Sequence, residues 1–273
     1  MPSTLSVAII TLNEEANLAR TLASIQFADE IILVDSGSTD RTVEIAESFN
    51  AKVFTEPWKG FGPQKNLAID KCSSTWVLSI DADEELTPGL QTELRTLLQS
   101  PATQSPEARS PDTQTEAYRI PLRHVVLHRW IRHGGYYPDM KLRLFRRHDP
   151  AAPSPIRFSE RAVHESIQCT GTIGTLQHDL IHHGYPTLEI YIEHMNRYST
   201  LGAQVLVTKG KTSRNWPAFL WNVLFVPQLT FFWNYIIRLG FLDGREGLLL
   251  HLYHSTYISW KYAKAWNLTR RPR

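Results

Sequence analysis

The sequence predicts an α/β fold built on a mostly parallel sheet and followed by a helical, aromatic C-terminal extension. Three observations carry this. Short apolar runs without polar alternation recur at Leu5–Ile10, Ile31–Val34, Lys52–Phe54 and Trp76–Ile80, as expected of strands buried on both faces. Helix-patterned stretches separate them at Glu15–Gln26, Thr42–Phe49 and Gln64–Lys71, the order of βαβ units. Near the C-terminus, "NWPAFLWNVLFVPQLTFFWNYII" runs 23 residues from Asn215 to Ile237 without a charge.

In the first helical stretch Leu18, Leu22 and Ile25 recur at helical spacing. Asp40 precedes "RTVE" and is placed to cap the second, with Glu44 in its first turn. Thr87-Pro88 reads as cap and first residue of a further helix. Residues 99–116 are rich in Pro, Ser, Thr and Gln and lack any large apolar side chain, which marks a flexible insertion. "AYRIPLRHVVL" and "KLRLFRR" read as later strands. A long helix is predicted over Leu188–Val207, with Leu188, Ile192, Met195, Leu201 and Val205 on its apolar face. The organisation is therefore 1–98, a first ligand-binding half; 99–116, the insertion; 117–210, a second half; and 211–273, the aromatic extension.

With 273 residues, 42% of them hydrophobic and 21% charged, the chain has ample core material for a folded protein. A net charge of +2 gives no case for nucleic acid. Cys72 and Cys169 form neither a metal-type spacing nor a disulfide framework, which fits a reducing compartment. "MPSTLSVAII" has no secretion-signal pattern and reads as the first strand of a cytoplasmic protein. For 215–237 three readings stand: an element lying in a membrane surface, a buried helix pair, or a span. Pro217, Pro227 and Asn222 interrupt it, and its Trp and Phe content suits a headgroup boundary.

In parallel sheets ligands collect at the carboxyl ends of the strands. Here those ends read "TLNEE", "VDSGSTD", "TEPWKG" and "IDADEE", all polar or acidic. Asp81 and Asp83 can turn toward one cation at a bending strand end, and such hard oxygens suit Mg²⁺ or Mn²⁺ shared with phosphate. The other reading is a solvated turn before the Thr87 cap. Asp35 can accept from an imide N–H such as that of uracil, while Ser36–Ser38 form a tight loop. Neither GxGxxG nor GxxxxGK[ST] is present, so phosphates handled here need a cation. His178, His182 and His183 lie close in sequence without a zinc context. They read either as loop and core residues or, for His183, as a contact to a cation or diphosphate. Arg143 and Arg147 fall on one side of a strand and Arg146 on the other, either for acceptor phosphates or as a solvated basic face.

"VAIITLNEEANLARTLASI", "IILVDSGSTDRT", "GFGPQKNLAI" and "WVLSIDADEEL" resemble, in order, the motifs of family 2 inverting glycosyltransferases with the GT-A fold, a Rossmann-like nucleotide-sugar domain. "GGYYPDMKLRLFRR", "AVHESI", "HHGY" and "GFLDGREGLLLHLYHSTYISWKYAKAW" resemble the bacterial lipopolysaccharide-core β-glucosyltransferases. The resemblance implies that Thr11, Asn13, Glu14 and Asp35 line the nucleoside pocket and that Lys65 lies near the phosphates. It implies Asp83 as the principal Mg²⁺ or Mn²⁺ ligand, with Asp81 facing the ribose or the same ion, and Glu165, beside His164, as catalytic base. "AVHES" departs from the Glu-Asp pair common in the wider family. The implied activity is inverting transfer of a hexose, such as glucose, from a nucleotide diphosphate sugar to a lipid-linked or lipopolysaccharide-core acceptor. The protein would be peripheral on the inner face of the cytoplasmic membrane. A nucleotidyltransferase is the alternative, but the acidic "TLNEEAN" replaces its basic phosphate loop. A non-catalytic membrane scaffold of the same fold is another.

Overall fold

A computed structural model describes residues 3–100, 115–147, 154, 156–159, 167–213 and 215–270. Most of the insertion predicted over 99–116, together with His164 and Glu165, lies outside the described residues. The chain forms two compact units that interleave in sequence: residues 1–122 with 140–183, and residues 123–139 with 184–273.

In the first unit β1 (Leu5–Thr11), β2 (Glu30–Asp35), β3 (Lys52–Thr55) and β4 (Trp76–Asp81) are the predicted parallel strands. The connecting helices are α1 (Leu18–Ser24), α2 (Thr42–Ser48) and α3 (Phe61–Asp70). Sheet order begins β3-β2-β1-β4, so the chain steps outward from β1 and then returns to its other side. That reversal lies between β1 and β4, where Ile10 pairs with Asp81, and such a switch point opens a crevice at the carboxyl ends.

Strand alternation sends Leu5, Val7 and Ile9 to one face with Leu18 and Leu22 of α1, and Ala8 to the other with Ala68 and Ile69 of α3. Two apolar faces explain why these strands lack a polar period. Helix α4 (Pro88–Gln99) has the predicted cap: the Thr87 hydroxyl accepts the Leu90 amide at 3.3 Å. Beyond β4 the sheet continues with β8 (Asp139–Arg146), antiparallel to β4, and β6 (Thr115–Val126). The short β5 (Glu84–Leu86) pairs antiparallel with β12 (Leu180–Tyr185) and sets His182 opposite Glu84.

Glu30 is a buried acid of the first unit away from the crevice. It accepts from the Ser6 hydroxyl at 2.6 Å, Lys52 at 2.7 Å and the Ser73 amide at 2.8 Å. Burial alone would raise its carboxyl; these donors outweigh it and hold it at about 2 against an ordinary 4.5. The depressed folded value means the stabilisation is complete above the unfolded pKa and is lost as pH falls through the folded one. Lys52 is mostly exposed, so its share is screened, and Glu30→Gln is expected to cost about 2 kcal/mol near neutral pH. Urea unfolding of both proteins between about pH 7 and pH 3 should show the gap narrowing below about pH 4.5. A gap independent of pH would contradict this.

In the second unit helix α5 (Leu188–Thr208) has Thr187 as its cap and packs on a long helix at Gly244–Leu268. Its fully buried residues are Tyr191, Ser199 and Ala203; of the predicted face Leu188, Ile192, Met195, Leu201 and Val205, Leu188 and Met195 pack against the core beside Tyr191. The small residues admit the partner helix, where Lys264 reaches the Asn196 carbonyl at 2.8 Å and the Ser199 hydroxyl at 2.7 Å. Val205 is left exposed. Segment 216–237 is helical with two π-turns, at Trp221–Phe225 and Phe232–Ile237. No helix among the described residues is long and apolar enough to cross a membrane.

Candidate active site

The carboxyl ends of β1, β2 and β4 and the end of β12 bring most of the predicted residues to one edge of the first unit. Thr11 and Asp35 are register partners, and the Thr11 hydroxyl donates to Asp35 Oδ1 at 3.1 Å. Asp35 is 1% exposed and also accepts the Gly37 and Ser38 amides, each at 2.8 Å, and the Ser38 hydroxyl at 2.5 Å. Both oxygens are thus engaged in shaping the Ser36–Ser38 loop, where Gly37 takes φ +95°. Asn13 stands at φ +56° and its side chain accepts the Thr39 amide at 2.8 Å, while its own amide donates to Ser38 Oγ. Glu14 donates its amide to the Thr42 hydroxyl at 2.7 Å. Burial raises its carboxyl; the Asn17 hydrogen bond opposes this, and the charges of Asp83 and Asp81 add to it. Asp40 serves the second helix through the Thr42 amide at 3.0 Å.

The acidic end of β4 divides into three pairings. Asp81 lies between two cations: Lys65 Nζ at 2.7 Å on one oxygen and Arg143 Nη2 at 2.9 Å on the other. Burial would raise its carboxyl, but these cations hold it well below the usual carboxylate range. Lys65, itself buried, also lies 5.1 Å from the centre of the Phe158 ring. Glu84 is buried beneath, accepting the Asp81 amide at 2.9 Å and forming a close ion pair with Arg143. Asp83 pairs with His182 Nε2 at 3.2 Å. Burial lowers the imidazole, yet Asp83 prevails and pushes it up to about 9. The same pair lowers the Asp83 carboxyl against its own burial.

His183, expected at the cation, donates its amide to the Asp83 carbonyl at 3.0 Å and turns its ring toward Glu85. Successive residues of β12 point to opposite faces; His182 therefore meets Asp83 while His183 Nε2 lies 2.9 Å from Glu85, which also faces Arg20 at 3.6 Å. The basic strand is likewise not an acceptor-binding surface. Arg143, Arg146 and Arg147 are 6%, 7% and 3% exposed. Arg147 donates to the Ile69 and Asp70 carbonyls, and Arg146 stacks 4.9 Å over Trp76.

Among the described residues no three His, Cys, Asp or Glu side chains converge to hold a metal ion by themselves. The donor set still fits Mg²⁺ or Mn²⁺, which commonly take one or two carboxylates and complete their shell with substrate phosphate and water. Asp83 has one protein partner and a side chain 20% exposed. Asp81 is the lesser donor, with both oxygens already paired. The pairings of Arg143 with Asp81 and Glu84 and of His182 with Asp83 were not read from the sequence. The available signal was register, since a histidine on the strand paired with Glu84–Leu86 lies opposite the acids of "DADEE".

Paired carboxylates and a buried lysine thus gather at the switch point of the sheet. The chain belongs to glycosyl transferase family 2: the family's sequence model matches residues 6–156, and the fold is the expected GT-A type with a helical C-terminal region. It is a glycosyltransferase. It is 32% identical over 251 residues to the lipopolysaccharide core biosynthesis glycosyltransferase LpsC of Rhizobium meliloti, covering 88% of this chain and 82% of that protein. A crystal structure of Staphylococcus aureus TarS 1–349 in complex with UDP-GlcNAc aligns over 96% of this chain and 90% of that one, with a TM-score of 0.45 and 14% identity. Glucosyl-3-phosphoglycerate synthase from Mycobacterium tuberculosis, in complex with Mn²⁺ and UDP-glucose, aligns over 44% of each chain at 26% identity and a TM-score of 0.33.

Proposed function

We infer that the protein transfers a hexose, such as glucose, from a nucleotide diphosphate sugar to a lipid-linked or lipopolysaccharide-core acceptor, with inversion and with Mg²⁺ or Mn²⁺. The observation that carries this reading is the Lys65–Asp81–Arg143 and Asp83–His182 arrangement at the switch point. Thr11, Asn13, Glu14 and the Asp35-braced loop form the nucleoside side of the pocket. Asp83, with Asp81 in support, holds the cation, which when bound neutralises the departing diphosphate. Lys65 is placed to turn from Asp81 to a phosphate oxygen, since both are anionic acceptors for the same ammonium group. Glu165 takes the proton of the attacking acceptor hydroxyl, the one base an in-line displacement requires. The likeness to LpsC supports the lipopolysaccharide-core acceptor, and an acceptor of that kind sets the protein at the inner face of the cytoplasmic membrane.

The test is a panel of UDP-, GDP- and ADP-sugars with and without Mg²⁺ or Mn²⁺, in the presence of membrane lipid extract. Metal-dependent transfer from one donor is expected. Glu165→Gln should abolish transfer while leaving donor binding intact. Turnover undiminished by a chelator would overturn the metal assignment, and retained transfer in Glu165→Gln would overturn the base.

A further inference from the structure

The C-terminal part of the chain has a charge pattern that the glycosyl-transfer site does not use. From His194 to Arg273 the sequence holds 11 Lys and Arg against two acids, Asp243 and Glu246, a net charge of +9, whereas residues 1–193 carry −7. Both acids are internally engaged. Asp243 is buried and accepts the His133 amide at 2.8 Å and its ring Nδ1–H at 2.9 Å, and Glu246 faces Arg129 at 3.6 Å.

The same unit exposes an uncharged apolar face. Trp221, Phe225, Leu229, Phe232, Trp233 and Ile236, spaced along one side of the helical segment, are each between 41% and 54% exposed. The face ends in the turn at Gly240–Asp243, where Leu239, Phe241 and Leu242 are 46%, 43% and 49% exposed. Arginines surround that turn. Arg129 reaches the Leu242 carbonyl at 3.5 Å, and the Arg132 amide donates to Asp243 at 3.1 Å. The Arg238 side chain lies against Gly135, and Arg245 follows the turn. Among the described residues neither Arg238 nor Arg245 faces a carboxylate within ion-pair distance.

We propose that this face docks flat on a bilayer with anionic headgroups, the Trp and Phe side chains entering the headgroup–acyl boundary and the arginines around 239–245 meeting lipid phosphates. An uncharged aromatic strip with a cationic rim is complementary to such a surface. A second copy meeting this face with its own would bring like charge against like charge, and nucleic acid offers nothing to cover nine large apolar side chains. The proposal rests on the lipid-linked acceptor of the preceding reading for its setting, and assigns that setting a surface and a lipid charge.

The experiment is vesicle co-sedimentation of the full chain without donor or metal, so its result is independent of the transfer reaction. Donor binding is measured separately without lipid. Binding to vesicles of phosphatidylcholine with a quarter phosphatidylglycerol is expected to exceed binding to pure phosphatidylcholine by about tenfold, and to weaken at high salt. Phe241→Ser/Leu242→Ser should reduce binding on both vesicles. Arg238→Gln/Arg245→Gln should reduce it on the anionic vesicles alone, with circular dichroism and donor binding unchanged. Equal wild-type binding to both vesicles, no binding to either, or a dimer in sedimentation that vesicles do not dissociate would each overturn the proposal, whether or not the variants fold.

Discussion

Asp83→Ala is expected to lower kcat/KM for sugar transfer by about 10²–10³-fold, the scale of losing one charge-stabilising group at a reacting centre. The fold should survive, because the only side chain paired with Asp83 among the described residues is His182, and the Asp83 side chain is 20% exposed. The informative measurement is the split between parameters. If Asp83 holds the cation, its loss raises the metal concentration needed for half-maximal rate and is partly offset by excess Mn²⁺. A drop in kcat with unchanged metal dependence would assign Asp83 another role. His182→Ala sharpens the comparison, since it removes the partner and leaves the carboxylate.

Arg143→Met is expected to destabilise the protein by about 3–5 kcal/mol, the cost of removing one partner from a buried ion pair. Arg143 neutralises Asp81 and the buried Glu84 together, so the substitution leaves Glu84 charged and unpaired in the core, or forces it to take up a proton. Burial already raises the Glu84 carboxyl, with Arg143 opposing that rise. Chemical denaturation measures the loss. The double variant Arg143→Met/Glu84→Gln should recover most of it, since the neutral amide can still accept the Asp81 amide hydrogen. A single variant within about 1 kcal/mol of wild type would show that water compensates the charge.

Much of the first unit was legible because strands buried on both faces have no polar residue to confuse the pattern. Val7 and Ala8 face opposite cores, and both must be apolar. The Thr87 cap was legible for a local reason, since its partner lies three residues on. What remained hidden depends on partners distant in sequence. His182 and His183 are chemically alike, and only the pairing of β12 with β5 decides which of them meets Asp83. The basic strand read equally as solvated or ligand-binding. Its burial follows from Asp81, Glu84, Trp76 and the carbonyls at the end of α3, each more than 50 residues away. The α5 stripe was legible only in part: Leu188 and Met195 do pack on the core, but long side chains dominate an apolar count. In the structure Ser199 and Ala203 matter by being small, which lets the Gly244–Leu268 helix approach.

The interleaving of the two units has a consequence for how the chain is made. Strand β6 crosses from one unit to the other between Leu122 and Arg123. The excursion 123–139 then waits for partners that emerge much later: Tyr185 for the Leu127 amide, Arg238 for the Gly134 amide, and Asp243 for the His133 ring. During synthesis the first unit has all of its segments by residue 183, while the 123–139 excursion waits about 60 residues more, until Asp243, for the last of these partners. No single cut yields both units. An isolated first unit requires excising 123–139 and rejoining β6 to β8, and a truncation after residue 183 leaves Asp243's donors on Arg132 and His133 without their acceptor.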